Sequence, residues 1–469
     1  MFRRLIDSPS TYFVGAAILL VAAFATQFEV NLPSRPRGGV EDISQLKDRD
    51  DLNVVFIVVD TLRADRMSLY GYRRPTTPVI DGLAKNGIVF EQVISQSSWT
   101  KSSMASLWTG TYPARNGVLR FDNVLPQEVM TPAEIFQSAG YRTIGIWRNG
   151  WVAANFGFNQ GFDIYHKPRP GFSARVQRHS PAPNPIGGSD EDVSTETRDF
   201  LDRFGQEKFF LYLHLMDLHQ YVFDEHADPF GPSYSDAYDK ALDWTDRVIG
   251  AVAGSLQDAD LLQRTVIAIS SDHGEAFLEH GVEGHARDLY REVVHVPFII
   301  VLPLILDRGI RVETTIANVD VWPTLLDLVG LPSMDGADGK SMVPLVLAAG
   351  GAPSRGSVDA LKRPVISHMD QHWGGRAAPQ ELVSLIDDGS RVIVHLEDHT
   401  RDEFYDWNID PNEQSDRFAR NPPKLEFMVD RIERYLRDSE PPWGVESPTI
   451  ELDAMRLNQL RALGYRPGS

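Results

Sequence analysis

The chain alternates short, nearly uninterrupted apolar runs with longer stretches of helical spacing. Val54–Val59, Thr143–Trp147, Phe209–Leu213, Val266–Ile269 and Phe298–Leu302 are apolar along their length rather than at every second position. Such runs predict strands buried on both faces, as in a parallel sheet covered by helices. Between them, Thr77–Asn86, Pro132–Ser138 and Ser235–Leu256 repeat apolar residues at three- and four-residue intervals and predict helices. The alternation implies an α/β domain over residues 52–349, a large mixed, mostly parallel sheet flanked by helices. A Gly/Pro/Ser-rich linker, Gly350–Gly356, follows. Residues 357–469 then read as a small α+β subdomain. Pro364–His368, Leu382–Ile386 and Arg391–His395 are its short antiparallel strands, Asp387-Asp388-Gly389 a hairpin turn, and Asn421–Asp438 an amphipathic helix.

The first 30 residues have a different character. Arg3 and Arg4 precede an apolar run from Tyr12 to Ala25. The run reads as an uncleaved membrane anchor, as a signal peptide cut after Ala23-Phe24-Ala25, or as a buried core helix. The first two place the arginines inside and export the rest, leaving the catalytic domain on the outer or periplasmic side, or secreted. Residues 31–51, polar and with Pro33, Pro36 and Gly38-Gly39, read as a linker.

Composition removes several function classes. The net charge is −19, with acidic residues spread along the chain, so no basic footprint for nucleic acid exists. An anionic small substrate stays possible, because a metal and local cations reverse the field inside a cleft. There is no cysteine, which excludes disulfides, thiolate metal sites and a cysteine nucleophile.

The two clearest strands end alike. Val54–Val59 runs into Asp60, and Val266–Ile269 runs into Ser270-Ser271-Asp272-His273-Gly274-Glu275. Ligands of open parallel sheets bind beyond the carboxyl ends of the strands, where Asp60, Asp272 and His273 offer oxygen and imidazole ligands for Zn, Mn, Mg or Ca. A lone Asp at a strand end is most often a turn or cap residue; two such ends, one with His adjoining, point to a metal. Thr100 opens a short helix ending at Gly110. As an N-cap it needs no function, but a hydroxyl among unpaired helix N–H groups also suits a bound phosphate or sulfate.

Several segments resemble the sulfatase family of the alkaline phosphatase superfamily. They are Asn53–Asp65, Thr109–Gly117, Asn155–Asp163, His214–His219, Ser271–Glu275, Gly284-His285 with Pro297, Asp320–Leu326, Asp338–Pro344 and Leu460–Tyr465. Position by position, the resemblance implies a sulfatase-like fold with one divalent ion on Asp60, Asp272, His273 and Thr100, Thr100 being also the nucleophile. His219 and His285 would act as general acid or base beside the substrate, with Lys101, Arg148 and Lys340 as anion contacts. The plainer alternative for each histidine is a neutral core residue, and for Lys340 a surface turn.

Three departures narrow this reading. The family's Cys-x-Pro-x-Arg signature, whose Cys or Ser becomes formylglycine, here has Thr100, Ser102 and Met104. The paired aspartates after the first strand are Asp60-Thr61, and the Gly-Lys-Trp-His segment becomes Ile146–Gly150. A threonine nucleophile resembles the phosphoethanolamine and glycerol-phosphate transferases of the superfamily. The expected activity is therefore a metal-dependent hydrolase or transferase acting on a phosphate or sulfate ester of a small molecule, glycan or lipid headgroup. The alternatives are a sulfuric ester hydrolase without formylglycine and a degenerate binding protein.

Overall fold

The computed structural model describes residues 35–171, 176–178, 187–224, 230–352, 358–371, 380–420 and 422–451. The N-terminal apolar segment and the Leu460–Tyr465 motif lie outside them, as does much of the loop after Lys167. Among the described residues no helix is long and apolar enough to cross a membrane.

The large domain is built on nine strands: β1 (Asn53–Val59), β2 (Ile88–Ile94), β3 (Arg142–Trp147), β4 (Ile164–His166), β5 (Phe209–Leu215), β6 (Thr265–Ser270), β7 (His295–Val301), β8 (Ile310–Val312) and β9 (Ile316–Ala317). Their order is β8-β2-β7-β6-β1-β5-β3-β4, with β9 also pairing β2. Within this sheet β7 alone runs against its neighbours, β2 and β6. The five predicted strands are all present. β2 escapes prediction because Glu91 and Gln92, both partly exposed, interrupt its apolar run.

Among the described residues the helices of seven residues or more in this domain are α1 (Pro78–Ala84), α2 (Thr100–Thr109), α3 (Pro132–Ser138), α4 (Asp190–Phe204), α5 (Tyr234–Asp258), α6 (Val321–Leu328) and α7 (Val343–Ala349). Strand β1 shows why its sequence is apolar throughout. Val54, Phe56 and Val58 pack with Trp108 of α2 and Trp322 of α6, while Val55, Ile57 and Val59 pack with Leu242 and Ile249 of α5. Both faces of β1 are therefore core. Every residue of α2 is buried, and Gly110 closes it in the left-handed conformation at φ 64°. The stretch read as a linker is not a free tether in its described part. Arg37–Gly38 pairs in parallel with Ile305–Leu306, and Ile43 and Leu46 are buried.

The smaller unit is a four-stranded antiparallel sheet of β10 (Val365–Asp370), β11 (Glu381–Asp387), β12 (Ser390–His395) and β13 (Glu403–Asp406). The hairpin turn predicted at Asp387-Asp388-Gly389 is present, narrowed to Asp388 and Gly389 at φ 46° and 70°, since Asp387 pairs with Ser390. Helix α8 (Leu425–Arg437) buries Leu425, Met428 and Ile432 against Val383, Leu385 and Val392.

The two units meet through a buried carboxylate. Glu413 Oε1 accepts from Arg391 Nη1 at 2.8 Å and Trp407 Nε1 at 2.6 Å, and its Oε2 accepts from the Arg291 N–H at 2.8 Å. Its carbonyl takes the Nε2 of His280 at 2.8 Å, and His280 Nδ1 lies 2.7 Å from Glu292. Removing one partner of a buried pair leaves the other charge uncompensated. Glu413→Ala is expected to lower unfolding stability by about 3–5 kcal/mol. A change below about 1 kcal/mol in denaturant titration would show that the contact is worth no more than a surface ion pair.

Candidate active site

The register of β1 decides where the chemistry sits. Val58 pairs with His214 of β5 on one side and Ser270 of β6 on the other. The residues that leave the three strand ends, Asp60, His214 and Asp272-His273, thus emerge together, and all are fully buried. Thr61, the residue after Asp60, adopts φ 62°, a region unfavourable for a β-branched side chain. Its N–H reaches Asp272 Oδ1 at 3.3 Å and its hydroxyl turns back to the Asp60 carbonyl at 2.6 Å. The position that carries the family's second aspartate here serves Asp272 through the backbone.

Each ligand candidate has one atom satisfied and one left over. Asp60 Oδ2 accepts from Asn149 Nδ2 at 2.5 Å and lies 3.2 Å from His214 Nε2, while Oδ1 has no hydrogen-bond partner among the described residues. Asp272 Oδ1 accepts the N–H groups of Thr61 and His273, while Oδ2 has no hydrogen-bond partner among the described residues. His273 Nδ1 lies 2.9 Å from the Gly274 carbonyl, which only accepts, so Nδ1 carries a proton and in the neutral ring Nε2 presents its lone pair. Nε2 is 3.5 Å from Asp272 Oδ2 and 3.9 Å from Asp60 Oδ1. The ligand atoms of these three residues lie within 4.8 Å of one another. Two unpartnered carboxylate oxygens facing an imidazole lone pair, fully buried, could hold a divalent cation. Without one, burial and the Asp60 charge push the Asp272 carboxyl up. At Asp60 burial is outweighed by His219, His214 and His273, which hold its carboxyl low.

Thr100 stands beside this cluster as the first residue of α2. Its Oγ1 is 3.3 Å from His273 Nε2 and accepts from Asn149 Nδ2 at 3.1 Å. Asn149 Oδ1 takes the Trp151 N–H at 2.8 Å, which fixes the direction of the amide. The N–H of Ser103 bonds the Trp99 carbonyl at 3.1 Å, and the N–H groups before it stand outside the intrahelical ladder, as at any helix N-terminus.

His219 and His285 lie next to the cluster. The ring centroids of His285 and His273 are 4.5 Å apart, and those of His285 and His219 are 4.9 Å apart. Burial lowers the His219 pKa to about 4, and burial with the neighbouring His273 charge lowers His285. Glu275, raised to about 7 by burial, faces His285 Nδ1 at 3.1 and 3.3 Å.

Of the three anion contacts implied by the resemblance, Lys101 and Arg148 have other side-chain partners. Lys101 Nζ donates to the carbonyls of Phe121 at 2.5 Å and Asn123 at 2.7 Å, and lies 4.1 Å from the centre of the Phe156 ring. Arg148 is buried between Asp190, at 2.7 Å, and Asp217. Lys340 sits on an exposed turn whose N–H serves Asp320. None of the three is brought to the cluster. Asn149, His214 and Glu275 are brought there without having been singled out, although His214 and Glu275 stand inside the recognised segments.

This site, at the carboxyl edge of a mostly parallel sheet, belongs to an ester hydrolase. The chain is a member of the sulfatase family: the sulfatase family model matches residues 52–331, and the model for the N-sulphoglucosamine sulphohydrolase C-terminal region matches residues 279–439. It is 25% identical over 348 residues to the ulvan-active sulfatase of Formosa agariphila, covering 66% of this chain and 67% of that one. It is 22% identical to arylsulfatase K of Xenopus laevis, covering 81% of each. Among solved structures, a 2-O GAG sulfatase superposes with a TM-score of 0.65 at 18% identity, over 89% of this chain and 97% of that one. The phosphonate monoester hydrolase of Agrobacterium radiobacter does so with a TM-score of 0.65 at 17% identity, over 82% and 95%.

The orphan oxygens generate a test that needs no substrate. Mn²⁺ or Ca²⁺ at a hundred times its dissociation constant is expected to stabilise the chelator-treated protein by about 2.7 kcal/mol. Asp272→Asn is expected to abolish that gain. It is also expected to stabilise the metal-free protein by about 1.5–3 kcal/mol, since the new amide keeps the Oδ1 bonds and donates toward Asp60 Oδ1. Thermal unfolding with and without metal measures both; an unchanged metal response in Asp272→Asn would place the ion elsewhere.

Proposed function

We propose that the protein hydrolyses or transfers a phosphate or sulfate ester through Thr100, in a reaction that needs one divalent cation. The observation that carries this reading is the placement of Thr100 Oγ1 within 3.3 Å of His273 Nε2 and 3.1 Å of Asn149 Nδ2, beside the two orphan carboxylate oxygens. A cation held by Asp60, Asp272 and His273 supplies neutralisation of the substrate oxygens and acidification of the threonine hydroxyl. Asn149 steadies that hydroxyl, and the open N–H groups of α2 face the anion. His214 holds Asp60 in register, with the Tyr212 hydroxyl 2.7 Å from its far nitrogen.

Phosphorus is the favoured centre. Threonine cannot become an aldehyde hydrate, so an ester formed on it must be resolved by attack at the central atom, as in two-step phosphoryl transfer. A second reading, hydrolysis of sulfate esters, draws on the two matching family models and on the sulfatases among the relatives. Both readings accommodate a glycan or lipid-headgroup ester, and the names of the ulvan-active and 2-O GAG enzymes favour a glycan. The apolar N-terminal run supports a site on the outer face of a membrane or an exported protein.

Thr100→Ala is expected to cut kcat by about 10³-fold or more while shifting KM only a few-fold, and Thr100→Ser to recover most of the activity. The substrates are bis-para-nitrophenyl phosphate and para-nitrophenyl sulfate. A higher kcat/KM on the phosphodiester supports phosphorus, and the reverse supports the sulfate reading. Full activity in Thr100→Ala would remove the nucleophile from Thr100. Absence of turnover on both substrates together with absence of metal binding would favour a binding protein.

A further inference from the structure

Two segments run outward from the histidines beside the cluster, and each brings an aromatic ring to the same neighbour. From His219 the chain reaches Tyr221, whose ring centroid lies 4.5 Å from that of Tyr234. From Glu275, in contact with His285, it reaches Phe277, whose ring centroid lies 5.8 Å from that of Tyr234. Tyr234 is the first residue of α5, fixed there by a capping box between Ser233 and Asp236. It closes the outer end of a wall whose inner end is the meeting of the His219 and His285 rings. His219, Tyr234 and Phe277 are partly exposed, so the wall is reached from solvent, whereas Tyr221 and Glu275 behind it are buried.

The wall is rigidly built. Tyr221 takes φ 52°, a conformation that a bulky residue adopts only where its surroundings impose it. Its hydroxyl, buried beside that of Tyr234, completes no hydrogen bond of ordinary length among the described residues. Phe277 is held by a short hairpin, in which it pairs with Glu283, and by the Arg63 guanidinium 5.0 Å from its ring centre.

Arg287 stands at the rim, two residues after His285. Its backbone is tied to both units. The preceding Ala286 N–H donates to the Ser98 carbonyl at 2.8 Å, and the Arg287 carbonyl accepts from Gln371 Nε2. Its side chain is exposed and makes no ion pair among the described residues, although the chain carries a net charge of −19. Burial and the Glu275 charge raise the Tyr234 hydroxyl, and the Arg287 charge opposes them, which sets the guanidinium on the Tyr234 side of the rim.

The candidate metal position accounts for the reacting anion but for nothing beyond it. The wall offers what the rest of a substrate needs: a partly exposed phenol ring, hydroxyls with bonding capacity to spare, and a guanidinium. Aromatic faces pack against flat apolar surface, and a few polar groups fix its orientation. An acyclic glycerol or ethanolamine headgroup has no such surface. A sugar ring has it on its C–H face and carries hydroxyls at its edge. A guanidinium recognises a carboxylate or sulfate through paired N–H bonds. We propose that Tyr234, backed by Tyr221, and Arg287 form the subsite for the leaving portion of the substrate, and that this portion is a sugar ring carrying a second negative charge. The assignment rests on the Thr100 reading, which sets where the ester is cut.

The test assays the metal-replete full chain on esters of para-nitrophenol and of para-hydroxybenzoate, each as the methyl phosphate diester and as the sulfate. Glucuronic acid and glycerol serve as competitors. Arg287→Gln is expected to lose about five-fold more kcat/KM on the hydroxybenzoate esters than on the nitrophenyl esters, through KM. Tyr234→Leu is expected to raise the inhibition constant of glucuronic acid about ten-fold and that of glycerol far less. Equal losses of Arg287→Gln on both leaving groups would overturn the proposal, as would glucuronic acid competing no better than glycerol. If Tyr234→Leu fails to fold by circular dichroism, the Arg287→Gln comparison decides alone. Failure of both comparisons with Thr100→Ala inactive removes the subsite and leaves the nucleophile. A fully active Thr100→Ala removes the reading on which the subsite rests.

Discussion

Two buried carboxylates, each with one oxygen unpaired among the described residues and both near the same His273 nitrogen, are the constraint around which the site is arranged. Asp60 and Asp272 leave adjacent parallel strands at the same level, so the sheet register itself forces them together. Inside a protein two unpaired anionic oxygens at that spacing are unfavourable unless a cation joins them or one takes a proton. The surrounding residues leave that tension in place. Asn149, His214, the Thr61 backbone and the His273 N–H satisfy only the outer oxygen of each carboxylate.

The same residues organise Thr100, the nucleophile of the proposed reaction. Asn149 donates to both Asp60 and Thr100, so one amide links the ligand set to the hydroxyl. Helix α2 is buried along its whole length and is braced by Ser103, whose hydroxyl donates to the Asp272 carbonyl at 2.5 Å. The nearby positive charges are drawn away. Lys101 is satisfied by two carbonyls and an aromatic face, and Arg148 by Asp190 and Asp217. Both side chains brace the walls of the site, and in the proposed reaction the anion falls to the helix end and the candidate metal position.

Much of this is legible in the sequence, for stated physical reasons. Strands β1 and β6 are buried on both faces and therefore read as unbroken apolar runs, which places the acidic residues that follow them at one sheet edge. Thr100 is located by the family segments around it and lies where they put it, although as the first helical residue rather than the cap. The contacts of Lys101 and Arg148 are not legible, because a side chain's direction depends on partners distant in sequence, here residues 121, 123, 190 and 217. Asn149 is hidden for the same reason, since its role appears only when β3 is laid beside β5. Strand β13, four residues long with Glu403 and Asp406 at its ends, carries too few apolar residues to announce itself.

The central claim is that Thr100 becomes covalently bonded to the central atom of the ester. The most direct measurement is mass spectrometry of the metal-replete protein quenched during turnover of an activated phosphodiester or aryl sulfate, followed by peptide mapping. The account requires a phosphoryl or sulfuryl adduct on the peptide carrying Thr100, localised to that residue and absent from Thr100→Ala. Rapid turnover with no adduct on Thr100, or with the adduct on another residue, would contradict it.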